Sequence, residues 1–182
     1  MFNSIIKLFG RSPNPTAEWP PHSKRELVYD LRSRSVNGLK HGGAFKDART
    51  FGQCDDFTRR DGYLELFYRQ SGLILEFASD QLIGVDFVVG RDSFQVKEHK
   101  MGVSFPVIID GDGQRHVITD SSTLQGLTSC FGKPVESAPA GDDMVHSFAI
   151  LKNVVETYHN KNSGKLLYLE ICETNDAKPP KG

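Results

Sequence analysis

The sequence predicts an α+β protein of two tandem units, each a short helix packed on an antiparallel β-meander of three to four strands. Phe51-Gly52 and Phe131-Gly132 stand eighty residues apart, each preceded by a helix-like stretch and followed by a polar loop and three strand-like runs. Those runs alternate in a one-sided way: Tyr63, Glu65 and Phe67 oppose Leu64, Leu66 and Tyr68, and Leu167, Leu169 and Ile171 oppose Leu166, Tyr168 and Glu170. The 182 residues carry a net charge of −1, 38% hydrophobic and 25% charged residues, which excludes collagen, disordered and membrane-bundle classes.

The chain divides into an arm (1–23), a first unit (24–100), a second unit (101–176) and a disordered tail (177–182). Within the arm, Phe2, Ile5, Ile6 and Phe9 form one apolar stripe of a helix too short to cross a bilayer, and no secretory cleavage pattern accompanies it. The stripe is expected to fold back on the body, with weak membrane contact as its other use. Residues 11–23 hold four prolines and the single tryptophan, Trp19, expected to pin the arm to the body.

In the first unit Leu27–Leu31 reads as a short strand and Gly42–Thr50 as the helix ending at Gly52. Tyr63–Arg69, Leu73–Ala78 and Leu82–Val89 follow as strands, with turn chemistry at Gln70-Ser71-Gly72 and Ser79-Asp80. Phe94–His99, Val103–Ile109 and Gln114–Thr119 are further extended runs. Asp110-Gly111-Asp112-Gly113 joins the last two as a hairpin turn, because Gln114 and Ser121 stand where a calcium loop needs ligands. In the second unit Ser121 or Ser122 caps a helix whose Leu124, Leu127 and Phe131 share a face, and Gly132 with Pro134 ends it. Met144–Leu151, Val154–His159 and Lys165–Cys172 are its strands. Lys152-Asn153 is read as a two-residue loop, which sets His146 opposite His159.

Residues 39–56 with Gly72–Phe77, and Leu124–Pro134 with Lys165–Ile171, resemble the β-lactamase inhibitor protein architecture, and each unit is similar to the small lipoproteins of the outer-membrane assembly machinery. The likeness spans most of residues 33–172, without the signal peptide, lipidation cysteine or paired cysteines of those families. It implies a non-catalytic, sheet-based protein-binding surface.

Chemistry-bearing motifs are absent: no nucleophile elbow, phosphate loop, dinucleotide fingerprint or zinc spacing occurs. Cofactors are expected to be none and metal none, His146 and His159 being a weak candidate pair without a third ligand. Cys54, Cys130 and Cys172 form no framework, which favours a reduced, cytoplasmic protein. Residues 1–60 hold eleven Lys/Arg against six Asp/Glu and residues 61–182 eleven against seventeen; this lacks the dense basic stripe of a nucleic-acid binder. The expected function is a non-catalytic protein-binding module of the inhibitor, immunity or adaptor type. It would act through an exposed sheet face and loops, with Tyr63, Phe67, Tyr68, Tyr158 and Tyr168 as anchors and another protein as partner. The alternative is an enzyme or small-ligand binder whose site lies between the units around His116, His146 or His159.

Overall fold

The computed structural model describes residues 13–90, 95–96, 99–100, 106–111 and 113–173. Its strands, in chain order, are β1 (Leu27–Asp30), β2 (Ser35–Val36), β3 (Leu39–Lys40), β4 (Asp56–Arg60), β5 (Tyr63–Tyr68), β6 (Leu73–Ala78), β7 (Gln81–Val88), β8 (Gln95–Val96), β9 (His99–Lys100), β10 (Val107–Gly111), β11 (Gln114–Ile118), β12 (Glu136–Ala140), β13 (Asp143–Ile150), β14 (Asn153–Asn160) and β15 (Leu166–Glu173). A 3₁₀ helix spans Phe45–Phe51, and α1 spans Leu124–Phe131.

Eight of these strands form one antiparallel sheet in the order β12-β13-β14-β15-β7-β6-β5-β4, so two meanders are sewn together where β7 pairs with β15, Phe87 opposite Leu169. A second sheet, β11-β10-β1-β2-β3, is antiparallel except for the parallel β1–β10 ladder, Tyr29 opposite Ile109. The strands β8 and β9 pair with each other.

This corrects the expected α+β class. Among the described residues the protein is mostly β, 50% strand and 10% helix, because the upstream and middle runs build a sheet of their own instead of adding a strand to each unit. Its helical segments last seven and eight residues, little more than two turns each. The polar stretches expected to be loops after the two Phe-Gly pairs are the edge strands β4 and β12. In β12 the residue without an N–H, Pro139, is tolerated because one side of an edge strand makes no ladder bonds.

The main core lies between the sheets. Leu27, Tyr29, Val36, Val107 and Ile109 of the smaller sheet meet Leu66, Leu75, Phe87, Phe148, Val155 and Leu169 of the larger, and Phe51 and Phe131 plug in from the helix ends. Asn153, fully buried, ties the sheets: it accepts from the Tyr29 hydroxyl at 3.0 Å and donates to the Leu31 carbonyl at 3.1 Å. That network satisfies three polar groups that burial would otherwise leave unpaired. Trp19 does pin the arm, its ring 4.9 Å from that of Phe45, while Pro20 accepts from the Gln53 amide. Phe2, Ile5, Ile6, Phe9, the 177–182 tail and half of Phe94–His99 lie outside the described residues.

Candidate functional site

Two tight turns frame a cleft on the described surface. Asp61-Gly62 (φ 38 and 81) closes the β4–β5 hairpin, and Ser79-Asp80 (φ 49 and 69) closes β6–β7; both have the paired positive φ of the hairpin turn that matches strand twist. The tips lie side by side, the Ser79 amide donating to the Gly62 carbonyl at 3.0 Å. The first residue of the 3₁₀ helix joins them, the Phe45 amide donating to the Asp80 carbonyl at 2.9 Å. Between them opens a cleft of about 170 Å³ lined by Phe45, Arg59, Gly62, Tyr63, Leu64, Phe77 and Asp80. The Phe45 and Phe77 rings meet edge to face at 5.5 Å. Apolar rings thus form the floor, and the exposed Arg59 and Asp80 put opposite charges at the mouth.

Of the anchors expected from sequence, Tyr63, Phe67, Tyr158 and Tyr168 share the face of the large sheet turned away from the main core, and Tyr68 lies on the core face. Phe67, Tyr68 and Tyr168 are buried and Tyr63 and Tyr158 half-buried, so only the last two offer surface. The Tyr68 hydroxyl donates to the Gly52 carbonyl at 3.1 Å. On the outer face the Tyr158 and Tyr168 rings stand 5.3 Å apart. Registered carboxylates surround them: Glu65 opposite Glu76, and Asp86 opposite Glu170, which is opposite Glu156. Burial, then the Glu76 carboxylate, holds the Tyr63 hydroxyl far above its usual range; burial with Glu170 and Glu156 does the same to Tyr158, and burial with Asp86 and Glu170 to Tyr168. These phenols stay protonated and serve as hydrogen-bond donors to the acids.

The structure sets His116 apart from the other two candidate histidines. His116 sits on β11, an edge of the smaller sheet, opposite Ile109. The β13–β14 loop is Leu151-Lys152 rather than Lys152-Asn153, so His146 stands opposite Thr157 and His159 opposite Met144. Diagonal placement on one face still brings the two rings to 5.3 Å. Both are buried, His146 with its Nδ1 2.8 Å from the Ser137 hydroxyl. Burial lowers the pKa of both, that of His159 to about 4; the nearby His146 adds to the effect and the Ser122 backbone opposes it.

Among the described residues Cys54, Cys130 and Cys172 are joined by no disulfide. The Cys54 thiol, buried and 3.3 Å from the Thr16 hydroxyl, is raised by burial, and that of Cys130 is pushed up to about 12 by the same cause. Neither is primed as a nucleophile. Asp56 is an ion-pair partner, 2.6 Å from Arg69, and burial beside Asp142 raises the Asp143 carboxyl.

Sequence reasoning missed Phe45, Arg59, Leu64, Phe77 and Asp80 as neighbours. The signal that could have found them is Asp61-Gly62, a strong hairpin dipeptide between two strand-forming runs, which pairs its tip with that of Ser79-Asp80.

No protein-family model and no curated protein matches the chain. Among solved structures, it is similar to a DUF4309 family protein, YjgB, of Bacillus subtilis, with 8% identity and a TM-score of 0.46 over 76% of this chain and 84% of that one. It is also similar to a cysteine-rich secretory protein, SAV1118, of Staphylococcus aureus, with 15% identity and a TM-score of 0.41 over 83% of this chain. The match spans about half of that second chain, 51% of its length. No helix among the described residues is long and apolar enough to cross a membrane.

Proposed function

We propose that the protein is a non-catalytic protein-binding module whose contact centre is the cleft between the two hairpin tips. It would seat one aromatic or branched aliphatic side chain of a partner protein. The carrying observation is the cleft itself: about 170 Å³, with a floor of Phe45, Leu64 and Phe77 and a mouth flanked by Arg59 and Asp80. That volume is close to the roughly 150 Å³ cavity that accommodates a benzene-sized group. It falls below the roughly 300–1,000 Å³ of pockets that enclose small-molecule substrates, which weighs against the enzyme reading. An apolar pocket with a charged rim is the usual build of an interface hot spot, the floor supplying affinity and the rim selecting register.

Two further parts of the reading belong here. We read the large sheet as two copies of one meander pattern, supported by its mirrored strand order. An inhibitor, immunity or adaptor role follows from the resemblance drawn on sequence, and the free cysteines support a reducing, cytoplasmic setting.

The test is affinity capture from the native cell with the full chain as bait, comparing Arg59→Glu/Asp80→Lys with Lys152→Glu, all three positions being exposed. The reading expects a discrete partner retained by the wild type and by Lys152→Glu and lost at least tenfold by the rim variant. Equal recovery by all three would refute it.

A further inference from the structure

We propose that His146 and His159 bind a divalent transition-metal ion of the zinc, nickel or copper class through their imidazole nitrogens. Three observations converge. The ring centroids are 5.3 Å apart. Two imidazoles sharing one tetrahedral ion at a metal–nitrogen distance of about 2.0 Å place their centroids about 5 Å apart. The Nδ1 of His146 is 2.8 Å from the Ser137 hydroxyl, the outer contact that fixes a ligating ring's tautomer and orientation and leaves Nε2 for the metal. The His159 ring, in a residue only 6% exposed, has a hydrogen bond with the Ser122 backbone, a second outer contact that leaves its other nitrogen for the metal. A buried imidazole nitrogen left unsatisfied is costly, and a metal bond at it relieves that cost.

Local structure explains how the pair arises. The two-residue β13–β14 loop fixes the register, Asp143 opposite Asn160 and His146 opposite Thr157, so His159 falls on the neighbouring same-face diagonal of His146. No group of three His, Cys, Asp or Glu that could hold a metal forms among the described residues, so the remaining coordination positions fall to water or to an exogenous ligand. A two-histidine set selects borderline metals over magnesium or calcium, which demand oxygen donors. This site is independent of the cleft assigned to partner binding.

The test uses the full chain with Zn²⁺ alone, and Mg²⁺ as control, read by calorimetry and by the imidazole nitrogen resonances. One Zn²⁺ per chain is expected, with the ring signals of His146 and His159 shifting together and those of His116 unmoved. Affinity should fall at least a hundredfold in His159→Gln and in His146→Gln, and about tenfold in Ser137→Ala, each checked for folding by circular dichroism. Should the histidine variants unfold, the wild-type resonances decide alone. Absence of binding, binding unchanged by these substitutions, or perturbation of His116 instead would overturn the proposal.

Discussion

Gly52 and Gly132 end their helices with nearly the same backbone, φ 80 and ψ −169 against φ 84 and ψ −167, a region essentially closed to any residue with a side chain. Their surroundings differ. A Cβ on Gly52 would lie 2.7 Å from the Pro20 carbonyl oxygen and 2.8 Å from His22 backbone atoms, whereas one on Gly132 would meet nothing within 4 Å. The half of the large sheet nearer the N-terminus has the proline-rich arm laid across its helix end, with Trp19 on Phe45 and His22 between the Phe51 carbonyl and the Ser71 hydroxyl. The other half ends its helix in the open. One conformational demand thus serves two packing situations, and in the first half the hairpin tips and aromatic floor are buttressed into a cleft.

Substitution at the two glycines should separate these contributions. Gly132→Ala carries backbone strain alone and is expected to cost about 2 kcal/mol. Gly52→Ala adds a steric clash that the arm relieves only by lifting, for a total of about 4 kcal/mol. Urea unfolding of both variants measures the difference, and equal losses would mean the arm contributes nothing to the first half.

Much of this asymmetry was illegible in the sequence. Alternating apolar and polar residues marked β5, β6, β7, β13, β14 and β15 to within a residue or two, because each has one face in the core. The edge strands β4 and β12 carry Asp-Phe-Thr-Arg-Arg and Glu-Ser-Ala-Pro-Ala, which read as loops since an edge needs little burial. The helix cap moved from Ser121 or Ser122 to Thr123 because the Ser122 hydroxyl is engaged accepting from the Thr119 amide, leaving Thr123 to accept from Gly126 at 3.2 Å. The β1–β10 parallel ladder joins residues eighty apart, a pairing that no local pattern announces. The cleft was hidden for the same reason: its floor comes from a helix start and two hairpins that only the fold brings together.

The contact between the two sheets can be probed next. Asn153→Leu removes the acceptor of the Tyr29 hydroxyl and the donor to the Leu31 carbonyl, and is expected to cost about 3 kcal/mol in urea unfolding, against about 1 kcal/mol for Tyr29→Phe, which leaves the Asn153 amide its carbonyl partners. A smaller cost for Asn153→Leu would show that the sheets hold together by apolar packing alone.

Acid should act beside the first half at His41, which follows β3 and is buried with its ring edge-on to Tyr29 at 6.0 Å. Burial, then the charge of Arg34, lowers its pKa to about 4 from an ordinary 6.5, with the Ile83 backbone opposing. Because the folded value is depressed, the unfolded chain takes the proton first as pH falls. The His41 contribution is therefore complete above pH 6.5, declines between 6.5 and about 4, and is flat below. His41→Leu should remove a slope of up to one proton from the stability–pH curve in that window, and an unchanged slope would place the acid sensitivity elsewhere.

The smallest effect belongs to the second half. Leu151 occupies the first loop position at φ 55, a conformation better suited to glycine, and is 65% exposed. Leu151→Gly is expected to stabilise by about 0.5 kcal/mol, seen as a small rise in Tm.

Partner contact at the cleft is tested most directly by a photo-crosslinking amino acid placed at Arg59 at the cleft mouth and, for comparison, at Lys152 in the β13–β14 loop, in the native cell. A discrete covalent product from position 59 alone is the predicted result. Products of equal yield from both positions, or none from position 59, would contradict it.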